Sequence, residues 1–148
     1  MAFRAAAIAL CLLAAGPATA ADFAVRTAGP VTAVAVDRSS IRTTGHFRSG
    51  WTYELYRERN PLIGARTQIT GVLLVADCQT LLSRKLKVVH YLADGRALSR
   101  AGPDAAWTDM ASGSNAELAL RALCQGPDAG WARRKADTVF GLYRQVWR

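Results

Sequence analysis

Cys78, Cys124, His46, His90 and Asp77 are the residues of this chain whose types could do chemistry. One reading takes Cys78 as a nucleophile and the downstream His90 as its base. That needs a free thiolate, an adjacent base and an orienting group. Asp77 abuts Cys78, but sequence neighbours on a strand point to opposite faces, so Asp77 is poorly placed to orient such a base. A metal site is weaker, because no CxxC or HxxxH spacing is present. The remaining readings are a disulfide between Cys78 and Cys124 and a free structural thiol. The compartment bears on the choice.

"MAFRAAAIALCLLAAGPATA" opens the chain with one charge, Arg4, then an apolar run from Ala5 to Ala15 that Gly16-Pro17 breaks. Ala18 and Ala20 are small residues where a signal peptidase reads, so residues 1–20 are expected to be a secretory signal peptide. The run is shorter than the roughly twenty residues that span a bilayer. Leu10 before Cys11 argues against a lipid anchor there. Cleavage would leave Ala21 to Arg148, long enough for one domain with a core. No second apolar span follows, so no transmembrane segment is expected after cleavage. The expected location is exported, in the periplasm or at the outer membrane or cell surface. Oxidising compartments favour bridges, and Cys78 and Cys124 then permit one intramolecular pairing.

The formal net charge is +8. Losing the leader removes Arg4 and no acid, so the remainder stays basic and suits an anionic envelope component or an acidic extracellular protein. The bland alternative is solubility with an arginine bias. No cofactor is expected. Gly-rich phosphate loops, zinc spacings, GxSxG elbows and internal repeats are absent. An exported chain rarely meets nucleic acid, so no nucleic-acid partner is expected.

Those residues must be held by strands. "VTAVAV" (Val31–Val36) alternates and reads as one. "DRSSIRTTGHF" follows as a polar connection. In "WTYELY", Trp51, Tyr53 and Leu55 form an expected buried aromatic face, and Asn60-Pro61 ends the run. Thr67–Asp77 is a longer strand, with Gly71 as a candidate bulge. In Arg84–Leu92 the residues Leu86, Val88, His90 and Leu92 share a face, which makes His90 a packed, hydrogen-bonded residue in an apolar row. "ADGR" signals a hairpin into a short strand at Ala97–Ser99. "SNAE" places Ser114 and Glu117 as a capping box for a helix over Ala116–Cys124, which Gly126-Pro127 stops.

The tail, residues 126–148, carries Ala132, Ala136, Val139, Phe140, Tyr143, Val146 and Trp147 at helical spacing. It is expected to be a basic amphipathic helix that either packs on the sheet or binds an anionic surface through Arg133, Arg134, Lys135, Arg144 and Arg148.

The order "VAVDRSSIRTTGHFRSGWTYELY", "LLVADCQTLLSRKLKVVHYLADGRAL" and "AAWTDMASGSNAELALRALC" resembles the surface-adhesin protein E family of bacteria. Its pattern falls here on Asp37, Ser40-Ile41, Gly45, Trp51, Asp77-Cys78, Tyr91, Gly95, Trp107 and Cys124, across about Val31 to Cys124. The resemblance implies an antiparallel sheet flanked by a C-terminal helix, with the two cysteines bridged, and no known chemistry. The namesake adhesin binds host matrix proteins and plasminogen and can dimerise. No residue pattern here carries over its ligand contacts, and the tail is longer than the family pattern requires.

The expected architecture is therefore α+β: a single antiparallel sheet flanked by a C-terminal helix or helices, with one disulfide. Residues 1–20 form the leader, 21–125 the protein E-like domain and 126–148 the helical tail. The expected function is non-enzymatic binding at the envelope or surface. The alternatives are a structural or assembly protein, self-associating as a homodimer or recruiting a strand at a sheet edge, and a Cys/His enzyme.

Overall fold

The computed structural model describes residues 20–58, 67–103 and 106–148. The expected signal peptide (up to Thr19, with Cys11) and the Asn60-Pro61 stop lie outside the described residues.

Eight strands build one sheet: β1 (Ala21–Thr27), β2 (Thr32–Asp37), β3 (Arg42–Thr44), β4 (Phe47–Tyr56), β5 (Ile69–Asp77), β6 (Leu82–Tyr91), β7 (Ala97–Ala101) and β8 (Ala132–Ala136). Their spatial order is β7-β6-β5-β4-β2-β1-β8, with β3 pairing on β4 beside β2. Every pairing is antiparallel. Two helices, α1 (Asn115–Gln125) and α2 (Val139–Val146), complete the fold.

Why β2 reads as small residues alternating with valine follows from where it sits. Ala33 and Ala35 join the cluster built on Leu142, Tyr143 and Val139 of α2. Val36 joins the cluster built on Leu120 and Leu123 of α1. Successive strand side chains face opposite ways, so α1 and α2 cover opposite faces of the sheet. All four residues from Ala33 to Val36 are at most 1% exposed.

The polar "DRSSIRTTGHF" connection is more structured than its composition suggests. A 3-10 turn at Arg38–Ser40 separates β2 from β3, and both strands pair with the same edge of β4. Trp51 lies in the gap between them. Its N–H is satisfied by Ser40 Oγ at 2.8 Å, and that hydroxyl donates to the Asp37 carbonyl at 2.7 Å. Gly50, beside it, leaves room for Leu123: a Cβ there would lie 3.0 Å from the leucine methyl.

The sheet departs from simple alternation in the β6–β7 pairing, where His90 meets Ser99 and Tyr91 meets Ala97, and again between β5 and β6. Leu73 pairs with Lys87 and Leu74 with Lys85, so Leu86 is an extra residue in β6. The bulge is therefore at Leu86 and not at Gly71. Gly71 is required for another reason, because the Tyr53 ring lies 3.0 Å from where its Cβ would be.

At α1, Ser114 Oγ accepts from the Glu117 N–H at 3.1 Å as expected. The reciprocal half of the capping box does not form. The Glu117 carboxylate instead accepts from Gly113 N–H at 2.6 Å, and the Ser114 N–H goes to the Ala111 carbonyl. Gly126 ends the helix at φ +84°.

The tail corrects the expectation of one amphipathic helix over 126–148. Ala132–Ala136 is strand β8, paired from Ala21↔Ala136 to Val25↔Ala132 along the outer edge of β1. Open β1 backbone offers a ladder that outweighs the weak strand preference of "ARRKA". Thr138 then caps α2 by accepting from Gly141 N–H at 3.1 Å. Leu142, outside the expected stripe, is fully buried. Tyr143 fastens α2 to the sheet: its hydroxyl donates to the Tyr56 carbonyl at 3.0 Å and accepts from Gln68 Nε2 at 3.0 Å.

The bridge between Cys78 and Cys124 is formed, with 5.3 Å between the Cα atoms and a sequence separation of 46. It ties the end of β5 to the last turn of α1. Loop closure over that separation stabilises by about 4 kcal/mol. Reduction is therefore expected to lower the unfolding free energy by that order in a denaturant titration; an unmoved midpoint would contradict a stabilising bridge. Leu142→Ala is expected to cost about 2–5 kcal/mol. A midpoint within error of the parent would mean that α2 does not pack on the sheet in solution.

Candidate functional site

The bridge removes the thiol that a Cys78/His90 pair would need. Asp77 has a structural task instead, since its Oδ1 accepts from the N–H groups of Gln79 and Thr80 at 2.9 and 3.3 Å in the turn after β5. His46 Nε2 lies 3.9 Å from the same carboxylate, and its ring sits against Phe47. No group of three metal-ligating side chains occurs among the described residues.

His90 belongs to a different feature, a cleft of about 350 Å³ between α1 and the sheet. Three cross-strand rows form its floor. Thr52, Val72 and Val88 make the middle row, Glu54, Thr70 and His90 one end, and Leu74 with Lys85 the other. Met110, Ala116 and Ala119 form the opposite wall, where the small side chains of the first turns of α1 leave the space open. The Leu86 bulge decides the chemistry of one end. Unbroken alternation would put Leu86 in line with Val88 and His90, whereas the bulge brings Lys85 there.

His90 is half-buried, and its Nδ1 is 3.1 Å from Thr70 Oγ1. Burial holds its pKa below the ordinary 6.5, so the imidazole is neutral near pH 7, with one donor and one acceptor nitrogen. Glu54 accepts a hydrogen bond from the Tyr56 hydroxyl. Of the expected packed row, Val88 and His90 thus lie on the floor of an open cleft, with His90 hydrogen-bonded at one end.

The opposite face is only partly covered. Trp51 and Tyr53 stack at 6.0 Å between centroids, and both are half-buried. Phe47 meets Trp107 at 5.8 Å, and the Arg84 guanidinium lies 5.4 Å over the same indole. Only the Leu55 end of the expected aromatic face is fully buried.

The basic residues expected on one helix are divided between two elements. Arg133, Arg134 and Lys135 lie on β8, Arg144 lies on α2 and Arg148 follows it; all five are exposed. Arg133 donates twice to the Asp22 carboxylate, each bond 2.8 Å, and Arg38 joins at 3.3 Å. Arg134, Lys135, Arg144 and Arg148 form no salt bridge among the described residues. Arg134 lies near Gln145 and Val146 of α2, and Gln145 Nε2 donates to the Lys135 carbonyl at 3.1 Å. Sequence reasoning missed Asp22 and Arg38 because their link to Arg133 exists only through the β1–β8 ladder. It missed Lys85 as a cleft residue because nothing local marks a bulge, and Glu54 because only the packing of α1 makes its face of β4 a cleft floor.

The Arg133 hydrogen bonds hold the Asp22 carboxyl below its ordinary value of 3.8. A depressed folded-state pKa gives stability that is present above the unfolded value and lost as pH falls through the folded value. Arg133→Ala should therefore raise the Asp22 titration midpoint toward 3.8 and flatten the acid limb of stability below about pH 4. Carboxyl chemical shifts followed by NMR would show it; the same midpoint in both proteins would refute the pairing.

A family model described as surface-adhesin protein E matches residues 24–125. No curated protein and no solved structure gives a match.

Proposed function

Because the chain belongs to the surface-adhesin protein E family, we propose that it is an exported, non-enzymatic binding protein of the cell envelope or surface. It holds an anionic partner, an envelope component or an extracellular protein, through the exposed cations of its C-terminal strand and helix. The observation that carries this reading is the group Arg134, Lys135, Arg144 and Arg148, exposed and without a salt-bridge partner among the described residues. Arg133 is set apart, since Asp22 holds it. Export is supported by the leader-like residues 1–20 and by β1 starting at Ala21, the first residue that cleavage would leave.

The cations on β8 also have a local effect. A charged edge strand resists pairing with another chain, so strand addition at β8 is disfavoured. β7 is the other edge of the sheet, and it is there that an assembly role or a homodimer would recruit its partner.

Deleting the tail would strip β8 from β1, so the test uses substitutions. The protein with Arg134, Lys135, Arg144 and Arg148 all changed to alanine is compared with the parent in cosedimentation with phosphatidylglycerol vesicles. At about 1 kcal/mol per cation near an anionic surface, binding should fall by roughly a hundredfold or more. Circular dichroism checks that the fold is kept. Equal binding by a folded variant would overturn the proposal. Sedimentation of both proteins over a range of concentrations tests the assembly reading, and a monomer throughout would remove the homodimer.

A further inference from the structure

The cleft beneath α1 has a composition that the adhesin reading does not use. Its middle is mainly apolar, floored by Val72, Val88 and Thr52, whose hydroxyl donates to the Val72 carbonyl, and walled by Ala116 and Met110. Its ends are of opposite sign: Lys85 stands at the Leu74 end and Glu54 at the Thr70 end. Neither charge is in a salt bridge among the described residues, and both side chains are half-buried. Charges of opposite sign separated by an apolar floor, close to low-dielectric walls, favour a ligand that brings the complementary pair.

We propose that this cleft binds a short unblocked peptide of two or three apolar residues, its carboxylate at Lys85 and its ammonium at Glu54. The length follows from the register. Leu74 and Thr70 mark the two ends on β5, four residues and about 13 Å apart along the strand; Lys85 on β6 and Glu54 on β4 flank β5, about 10 Å apart across it, so their backbones stand roughly 16 Å apart. Lysine and glutamate side chains are long enough to lean over the floor and shorten that span. The gap left suits termini about 7–10 Å apart, the span of a dipeptide or tripeptide. The volume, about 350 Å³, lies at the small end of the range for ligand sites.

Recognition would fall on the two termini and on apolar side chains. β4, β5 and β6 each have a strand on both sides, so the floor has no free edge for a peptide to join as an added strand. His90 lies in the same row as Glu54, across Thr70 from it, and adds a neutral hydrogen-bonding group at that end of the cleft. None of the β8 or α2 cations takes part, so failure of vesicle binding and failure of this site are separate results.

The probe is the tripeptide Ala-Val-Ala, compared with its N-acetylated and C-amidated forms and titrated into the isotopically labelled protein. The free tripeptide should shift the amide signals of Val88, Ala116 and Ala119. Each blocked form should bind at least tenfold more weakly. Lys85→Met should remove the discrimination against the amide, and Glu54→Gln the discrimination against the acetyl group. Ala116→Leu, which fills the cleft from the α1 side, should abolish binding while the rest of the spectrum is kept. Two results would overturn the site: no shift at millimolar tripeptide, or equal affinity for the free and blocked forms. Shifts that survive Ala116→Leu would do the same, because they would place the peptide elsewhere.

Discussion

Strand β2 is walled in from both sides, with Val36 in the α1 cluster and Ala33 and Ala35 in the α2 cluster. Two helices must reach it, and neither is long. The face under α2 takes alanines because Phe23, Leu55 and Ile69 from neighbouring strands, with Leu142, fill the same layer. The face under α1 takes valine, and Gly50 gives way so that Leu123 can come close. Removing either helix would expose the most apolar strand of the chain. This is why a tail that reads as an accessory is a structural part, and why the bridge at Cys124 sits at the end of α1, where it limits that helix's freedom to lift.

Much of this was legible from the chain. The period of two in β2, β4 and β6 located the strands, the Asp-Gly turn located the β6–β7 hairpin, and Ser114 located the start of α1. The bridge was the favoured reading of the two cysteines that an expected leader cleavage would leave. What failed did so for identifiable reasons. Ala132 and Ala136 are four apart, which suits one face of a helix and equally one face of a five-residue strand. The choice was made by the free edge of β1, more than a hundred residues away. The bulge at Leu86 has no glycine or proline to announce it, and it changes which side chains face the cleft. Of the candidate site residues, Cys78 and Cys124 were paired correctly, while Arg133, Arg134 and Lys135 were placed on the wrong kind of element.

The residues that carry the family resemblance have tasks the structure makes plain. Asp37 and Ser40 manage the break between β2 and β3, and Ser40 satisfies the Trp51 N–H. Gly45 supplies a turn at φ +60° and Gly95 one at φ +96° against the Phe140 ring. Asp77 closes the turn that presents Cys78 to Cys124. Tyr91 packs edge-on against Phe140. These are the devices of a scaffold. The proposed binding role draws on what this scaffold leaves open: the cleft under α1 and the charged edge, while Trp51 and Trp107 of the family pattern lie in the half-covered aromatic strip.

The pairing of β1 with β8 also sets an order of events. β1 finds β2 a few residues later, but its outer edge waits for residues 132–136. At synthesis rates of roughly 5–20 residues per second, that wait is on the order of 5–20 s. Throughout it the chain holds an incomplete sheet with one long backbone edge unpaired, and α2 has yet to be made. The native topology therefore cannot close behind the emerging chain; it closes only once the far end is free. The first strand made is thus the one completed last, by nearly the last residues of the chain.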